Sequence, residues 1–168
     1  MSKVGIIMGS KSDIEIAEKV MDTLDEFGVE WEVTVSSAHR TPEKTADWVK
    51  NAPHRGVKVI VAIAGAAAHL AGVVASETHI PVLAVPVAST SLQGMDALLS
   101  MVQMPGGVPV ATMAIGKAGA KNAAIFSVQI ISAGDEILEK KLLDYKKEMA
   151  EKVYKDDEEI QRRLKNRG

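Results

Sequence analysis

The sequence predicts an α/β fold, a three-layer αβα sandwich around a parallel sheet, closed by an amphipathic C-terminal helix. Three observations carry this. Short, nearly continuous apolar runs alternate with segments of helical period along most of the 168 residues, the order that yields parallel strands joined by helical crossovers. The runs lack the in–out alternation of a half-exposed strand, so burial on both faces is expected. Aromatics are only 4%, leaving Val, Ile, Ala, Leu and Met to fill the interior. Such a set of elements is flavodoxin-like.

The strands are expected at Lys3–Met8, Glu30–Ser36, Lys58–Ile63, Pro81–Val85 and Pro109–Met113, each β-branched-rich or apolar throughout. Helices are expected at Asp13–Phe27, Pro42–Asn51, Ala67–Glu77, Leu92–Val102 and Ala118–Ile131. Thr41-Pro42-Glu43 reads as a helix start, with Thr41 as N-cap and Pro42 at the first helical position. Ala118–Ile131 is small or apolar on nearly every side, so it needs cover all round, which favours an oligomer.

The tail differs. Of the last 35 residues, 20 are charged, while Leu138, Leu142, Tyr145, Met149 and Val153 recur at spacings of three and four. This is a helix with one narrow apolar stripe, docking on its own domain or on a neighbouring subunit. Residues 1–133 are therefore read as the catalytic α/β domain and 134–168 as its helical extension.

Composition excludes several functions. Net charge is −2 with Lys and Arg dispersed, so the basic stripe with interleaved aromatics of a nucleic-acid binder is absent. There is no cysteine, which removes disulfides and thiolate metal sites. The four histidines lack ligand spacing, so no metal is expected. No G-x-S-x-G elbow marks a hydrolase. The first apolar run is too short for a signal peptide, and glycines and His69 interrupt the stretch nearest to a membrane span, Val57–Val74. A cytoplasmic protein without membrane contact is expected.

Open α/β sheets bind ligands beyond the carboxyl ends of their strands. After the first strand comes Gly9-Ser10-Lys11-Ser12-Asp13. Glycine, hydroxyls and the free N–H groups of a helix start form a phosphate cradle, and the Asp13 carboxylate suits ribose hydroxyls. A simple helix cap by Ser12 or Asp13 explains the same residues. After the second strand, Ser37-Ala38-His39-Arg40 brings a hydroxyl, a group titrating near neutrality and a planar guanidinium to one edge. After the third, the run Ala64-Gly65-Ala66-Ala67-Ala68-His69-Leu70 leaves room for a flat ring. It also fits a close helix–sheet contact in which His69 is structural. Pro86–Asp96 and Ser100–Pro109 would complete the pocket. Together these loops indicate a nucleotide-like substrate and proton transfer without a cofactor.

The ordered motifs G-S-K-S-D (Gly9–Asp13), S-A-H-R-T-P (Ser37–Pro42), A-A-H-L (Ala67–Leu70), Q-M-P-G-G-V-P-V-A-T (Gln103–Thr112) and A-I-G-K-A-G-A-K-N-A-A (Ala114–Ala124) closely resemble class I PurE, the N5-carboxyaminoimidazole ribonucleotide mutases. The resemblance runs to about Ile131. It implies interconversion of N5-carboxyaminoimidazole ribonucleotide and 4-carboxyaminoimidazole ribonucleotide in purine (IMP) biosynthesis, through carbon dioxide trapped beside the ring. It implies His39 as the proton-transfer residue, phosphate binding by Ser10, Ser37 and Arg40, ribose binding by Asp13, and a ring pocket walled by Ala64, Gly65, Ala66 and Leu70. Ser12 and His69 join as secondary members. Members are homo-octamers, with no cofactor and no metal.

The chain departs from the family's G-A-G-G-A-A-H-L-P-G at three places: Ile63 and Ala66 stand for glycines and Ala71 for proline. The added methyl groups are expected to narrow the pocket or stiffen its approach, and the loss of proline to loosen the loop, so that rate or substrate preference differs from typical members. Class II PurE, which carboxylates aminoimidazole ribonucleotide directly, typically reads S-A-H-K-T and A-G-R-S-N at these loops; Arg40 and Ala66-Ala67-Ala68 favour class I. The chain lacks the phosphorylatable aspartate that a receiver domain needs after the third strand, and the aromatics that a flavin carrier places at the strand ends.

Overall fold

A computed structural model describes residues 3–167. The chain divides into two compact units, Met1–Ile131 and Ser132–Gly168. In the first, β1 (Lys3–Met8), β2 (Glu30–Val35), β3 (Val57–Gly65), β4 (Val82–Val87) and β5 (Ala111–Thr112) form one sheet in the order β2-β1-β3-β4-β5. All pairings are parallel. The helices are α1 (Ile14–Phe27), α2 (Pro42–Lys50), α3 (Leu70–Ser76), α4 (Met95–Val102) and α5 (Lys117–Ile131). This is the expected three-layer sandwich. Order reverses beside β1, so the loops after β1 and β3 flank the crevice where such sheets bind ligands.

The alternation of side chains across a strand builds two cores. Ile7, Ile60, Ala62, Val82 and Ala84 share one cluster with Val49 of α2, Leu70, Ala71 and Val74 of α3, and Ala97 and Met101 of α4. On the other face, α5 packs on β3, β4 and α1, where Ala17, Val20, Leu24, Ala123, Ala124 and Val128 are wholly buried. Small residues allow that close approach: a Cβ on Gly119 would fall on the Ala114 carbonyl.

Four details depart from the expectations. β2 is an edge strand with Val33 and Val35 each about 40% exposed, so it is not buried on both faces. β5 shortens to two residues, because Pro109 has no N–H to offer the ladder. α3 begins at Leu70 instead of Ala67, since Ala66 takes a positive φ of 54° and the amides of Ala68 and His69 donate to the carbonyls of Ala66 and Ala67. α4 begins at Met95, because Gln93 (φ 53°) and Gly94 (φ 88°) are left-handed. α5 also leaves Phe126 39% exposed, so its cover within the chain is incomplete.

The second unit is one helix, α6 (Glu136–Lys165), capped by the Asp135 carboxylate, which accepts from the amides of Ile137 and Leu138. Leu138 and Leu142 are buried, whereas Met149 and Val153 are exposed. The stripe is thus covered only at its start.

Candidate active site

The loops after β1, β2 and β3 meet at the carboxyl edge of the sheet around a cavity of about 280 Å³. Each loop is built differently. At the first, the Gly9 amide donates to the Ile63 carbonyl at 3.0 Å, which ties the loop to β3. The Ser10 hydroxyl then caps the single 3-10 turn Lys11–Asp13, accepting from the Ser12 amide (3.3 Å) and hydroxyl (2.9 Å). Ser10 is the local cap, and neither Ser12 nor Asp13 caps α1. Asp13 is 5% exposed. Burial pushes its carboxyl above the ordinary carboxylate range, with hydrogen bonds from Ser12 and the Ser10 backbone opposing that shift.

Hydroxyls knit the second loop. Buried Ser36 shares hydrogen bonds with Thr45 (2.8 Å) and Thr41 (3.1 Å). The Thr41 hydroxyl accepts from the Ser37 amide and donates to the Ser37 carbonyl, while the Thr41 amide also donates to that carbonyl. Thr41 does stand at the N-cap position, yet its side chain makes no cap bond to α2. It closes the Ser37–Arg40 turn instead, through the amide and the carbonyl of Ser37. Arg40 is held over the turn by Ser37 Oγ (3.4 Å from Nε) and by the Gly9 carbonyl (3.3 Å from NH2). This guanidinium bridges the first two loops.

The third loop is apolar, shaped by backbone. Ala64, Gly65, Ala67, Ala68, His69 and Leu70 line the cavity with Gly9, Ser10, Ser12, Asp13, Ser37, Ala38, His39 and Arg40. Ala66, whose backbone is left-handed (φ 54°), is not among the lining residues. Ile63 and Ala71 are wholly buried in the core. None of the three family departures is among the residues that line the cavity.

Two features emerge that the sequence did not single out: Ser89 in the lining and the pairing of the two histidines. Ser89, after β4, joins the lining and sits so close to Gly65 that a Cβ there would lie 2.9 Å from the Ser89 Cβ and 3.0 Å from the Val87 carbonyl. Ser89 was present only within a long polar stretch, and nothing local marked it. The second is His69 as a direct neighbour of His39: His39 Nε2 lies 2.9 Å from His69 Nδ1, with the rings edge to face at 5.1 Å. One nitrogen donates and the other accepts, so the bond orients both rings and couples the tautomer of one to that of the other.

The model of the family described as AIR carboxylase matches residues 3–152. The chain belongs to this family. It is 50% identical over 153 residues to the N5-carboxyaminoimidazole ribonucleotide mutase of Thermotoga maritima, covering 91% of this chain and 88% of that one. Against the mutase of Methanocaldococcus jannaschii, identity is 54% over 160 residues, covering 95% and 98%. Among solved structures it resembles Treponema denticola PurE, with a TM-score of 0.86 at 31% identity, covering 95% and 98%. In this AIR carboxylase family member the motif-bearing loops after β1, β2 and β3 surround one cavity.

Proposed function

We infer that this chain is an isomerase of purine biosynthesis that converts N5-carboxyaminoimidazole ribonucleotide to 4-carboxyaminoimidazole ribonucleotide, the activity its relatives carry in their names. The observation that carries the reading is one cavity with three unlike walls: a hydroxyl-and-guanidinium rim, a buried carboxylate, and an apolar floor with a histidine at its edge. Ser10, Ser37 and Arg40 hold the 5′-phosphate through charge-assisted bonds, and Asp13 accepts from the ribose. Ala64, Gly65 and Leu70 flank the imidazole ring and the carbon dioxide.

The mechanism follows from charge and proton balance. A carbamate moved from water to an apolar wall loses the solvation of its charge, which favours release of carbon dioxide. The C–N bond breaks, its electron pair stays on nitrogen, and His39 supplies the proton that nitrogen needs. Carbon dioxide held beside the ring is captured by the ring carbon because the two remain neighbours. That carbon then returns its proton to His39. One proton is given and one recovered, so a single histidine closes the cycle and His69 needs only to orient it.

We propose that the enzyme works in the cytoplasm as a homo-octamer. Leu92, Met95, Leu99 and Val102 form an exposed apolar stripe on and before α4, and Val33 and Val35 another on β2; both suit contacts between copies. No helix of the described residues is long and apolar enough to cross a membrane.

The deciding assay presents purified protein with N5-carboxyaminoimidazole ribonucleotide and, separately, with aminoimidazole ribonucleotide plus bicarbonate. Conversion of the first alone at low bicarbonate is expected. Preference for the second pair makes the enzyme a direct carboxylase, and turnover of neither overturns the assignment.

A further inference from the structure

A second groove of about 440 Å³ lies on the outer side of Arg40. It shares Gly9, Ser10, Ser37 and Arg40 with the first cavity and adds Lys11, Val35, Ser36, Thr41 and Lys44. Its lining holds three cations, four hydroxyls and no carboxylate. None of Lys11, Arg40 and Lys44 forms an ion pair with the described residues. In a chain of net charge −2, three uncompensated cations around one groove mark a place built for an anion.

Lys44 strengthens the case. It occupies the first turn of α2, where the helix dipole disfavours a cation. Its ammonium is held there nonetheless, donating to the Val35 carbonyl at 2.6 Å. That bond anchors one of three donor positions and leaves two to face a ligand. Lys11 stands in the opposite wall, at the start of the 3-10 turn. Arg40, bonded to Gly9 and Ser37, forms the partition between groove and cavity.

We propose that this outer groove is a second subsite for a phosphate group, with Lys44 and Lys11 as its cations and Arg40 shared with the inner cavity. The proposal rests on the reading of Arg40 as a phosphate ligand. Two sources supply the same chemistry: the substrate's own 5′-phosphate, reaching past Arg40, and free inorganic phosphate.

Steady-state kinetics with Lys44→Met, Lys11→Met and Lys44→Arg, each with and without inorganic phosphate, test it. If the groove takes the substrate's phosphate, Lys44→Met raises KM about tenfold, the size of one charge-assisted contact, far more than it lowers kcat. Lys44→Arg restores KM, and inorganic phosphate competes with the ribonucleotide. If the groove takes free phosphate, KM stays at its wild-type value, and the two methionine variants lose an inhibition by phosphate that excess ribonucleotide does not relieve. Wild-type KM together with wild-type phosphate inhibition in both methionine variants overturns the proposal. Arg40→Ala serves as the separate control: an unchanged KM there removes the underlying assignment of Arg40, whatever the lysines do.

Discussion

The loops after β2 and β3 each deliver one histidine to the same contact, yet they are held by opposite means. The loop after β2 is fixed by side chains: Ser36, Thr41 and Thr45 hydroxyls pin Ser37–Arg40 from below. The loop after β3 has almost no side-chain polar groups. Its shape comes from backbone: tight turns at Ala66–His69, a left-handed alanine, and a glycine pressed against Ser89. The difference matches the tasks proposed for the two loops. A rim that binds phosphate needs fixed polar groups, and hydroxyl networks fix them. A wall that faces an apolar ring and carbon dioxide needs closeness without polarity, and small residues with a constrained backbone provide it.

The sharpest way to test the contrast is to remove each loop's histidine. His39→Asn is expected to lower kcat by about 10²–10⁴-fold, the usual contribution of a general acid–base group, while ribonucleotide affinity stays within a few-fold. His69→Phe keeps the edge-to-face packing but loses the hydrogen bond, and should leave kcat within about tenfold of wild type, as expected for a residue that only orients another. Comparable losses in the two variants would mean that the histidines act as one unit, and the single-proton balance would be wrong.

The second test disturbs the backbone-held loop alone. In Gly65→Ala the added methyl group meets the Ser89 side chain and the Val87 carbonyl. The Ser89 hydroxyl can rotate away; the Ser89 Cβ and the Val87 carbonyl cannot. The expected cost is about 1–3 kcal/mol of stability with a raised KM, read from the denaturation midpoint and steady-state kinetics. A variant with unaltered midpoint and KM would show that this loop is softer than its contacts imply.

These two loops also separate what the sequence made legible from what it did not. Hydroxyls, a guanidinium and a histidine within six residues announce the β2 loop, because polar chemistry is written in residue types. Its internal wiring was hidden: Thr41 looked like a helix cap, and nothing in the string showed its hydroxyl turning back to Ser37. The β3 loop announced only smallness. That it turns through a positive φ at Ala66, delays α3 to Leu70 and brings His69 to His39 depends on contacts distant in sequence. The fold was easier. Apolar runs located all five strands, and the errors fall where tertiary context intervenes, at the exposed edge strand β2 and the proline-flanked β5.

Asp13 joins the two loops' work from below, and its environment gives a pH signature. Burial raises its carboxyl above the ordinary carboxylate range in the folded chain. The folded state therefore holds this proton more tightly than the unfolded state. The favourable contribution is present below about pH 3.8 and is lost as pH rises through the raised folded value. Asp13→Asn, which stays neutral, is expected to gain thermal stability over wild type at neutral pH and to lose that advantage in acid. Melting temperatures of both proteins across the acid range test this. An advantage that stays constant with pH would assign the effect to packing instead of charge. The same variant should bind ribonucleotide more weakly, because an amide is a poorer acceptor than a carboxylate for ribose hydroxyls.

The smallest effect belongs to Ala66. Its φ of 54° places an L-residue with a Cβ in the left-handed region, where the methyl crowds the following carbonyl at a cost of roughly 1–2 kcal/mol. The family pattern that this loop resembles has glycine at the position. Ala66→Gly removes that crowding, but the unfolded chain gains freedom that folding must then remove, which offsets part of the relief. The expected net gain is about 0.5–1 kcal/mol, measured as a higher denaturation midpoint with an unchanged slope. Because Ala66 does not line the cavity, KM and kcat should hold steady. A change in kinetics without a change in stability would show that the backbone turn at Ala66 positions His69, and the constraint on this loop would then belong to catalysis and not only to folding.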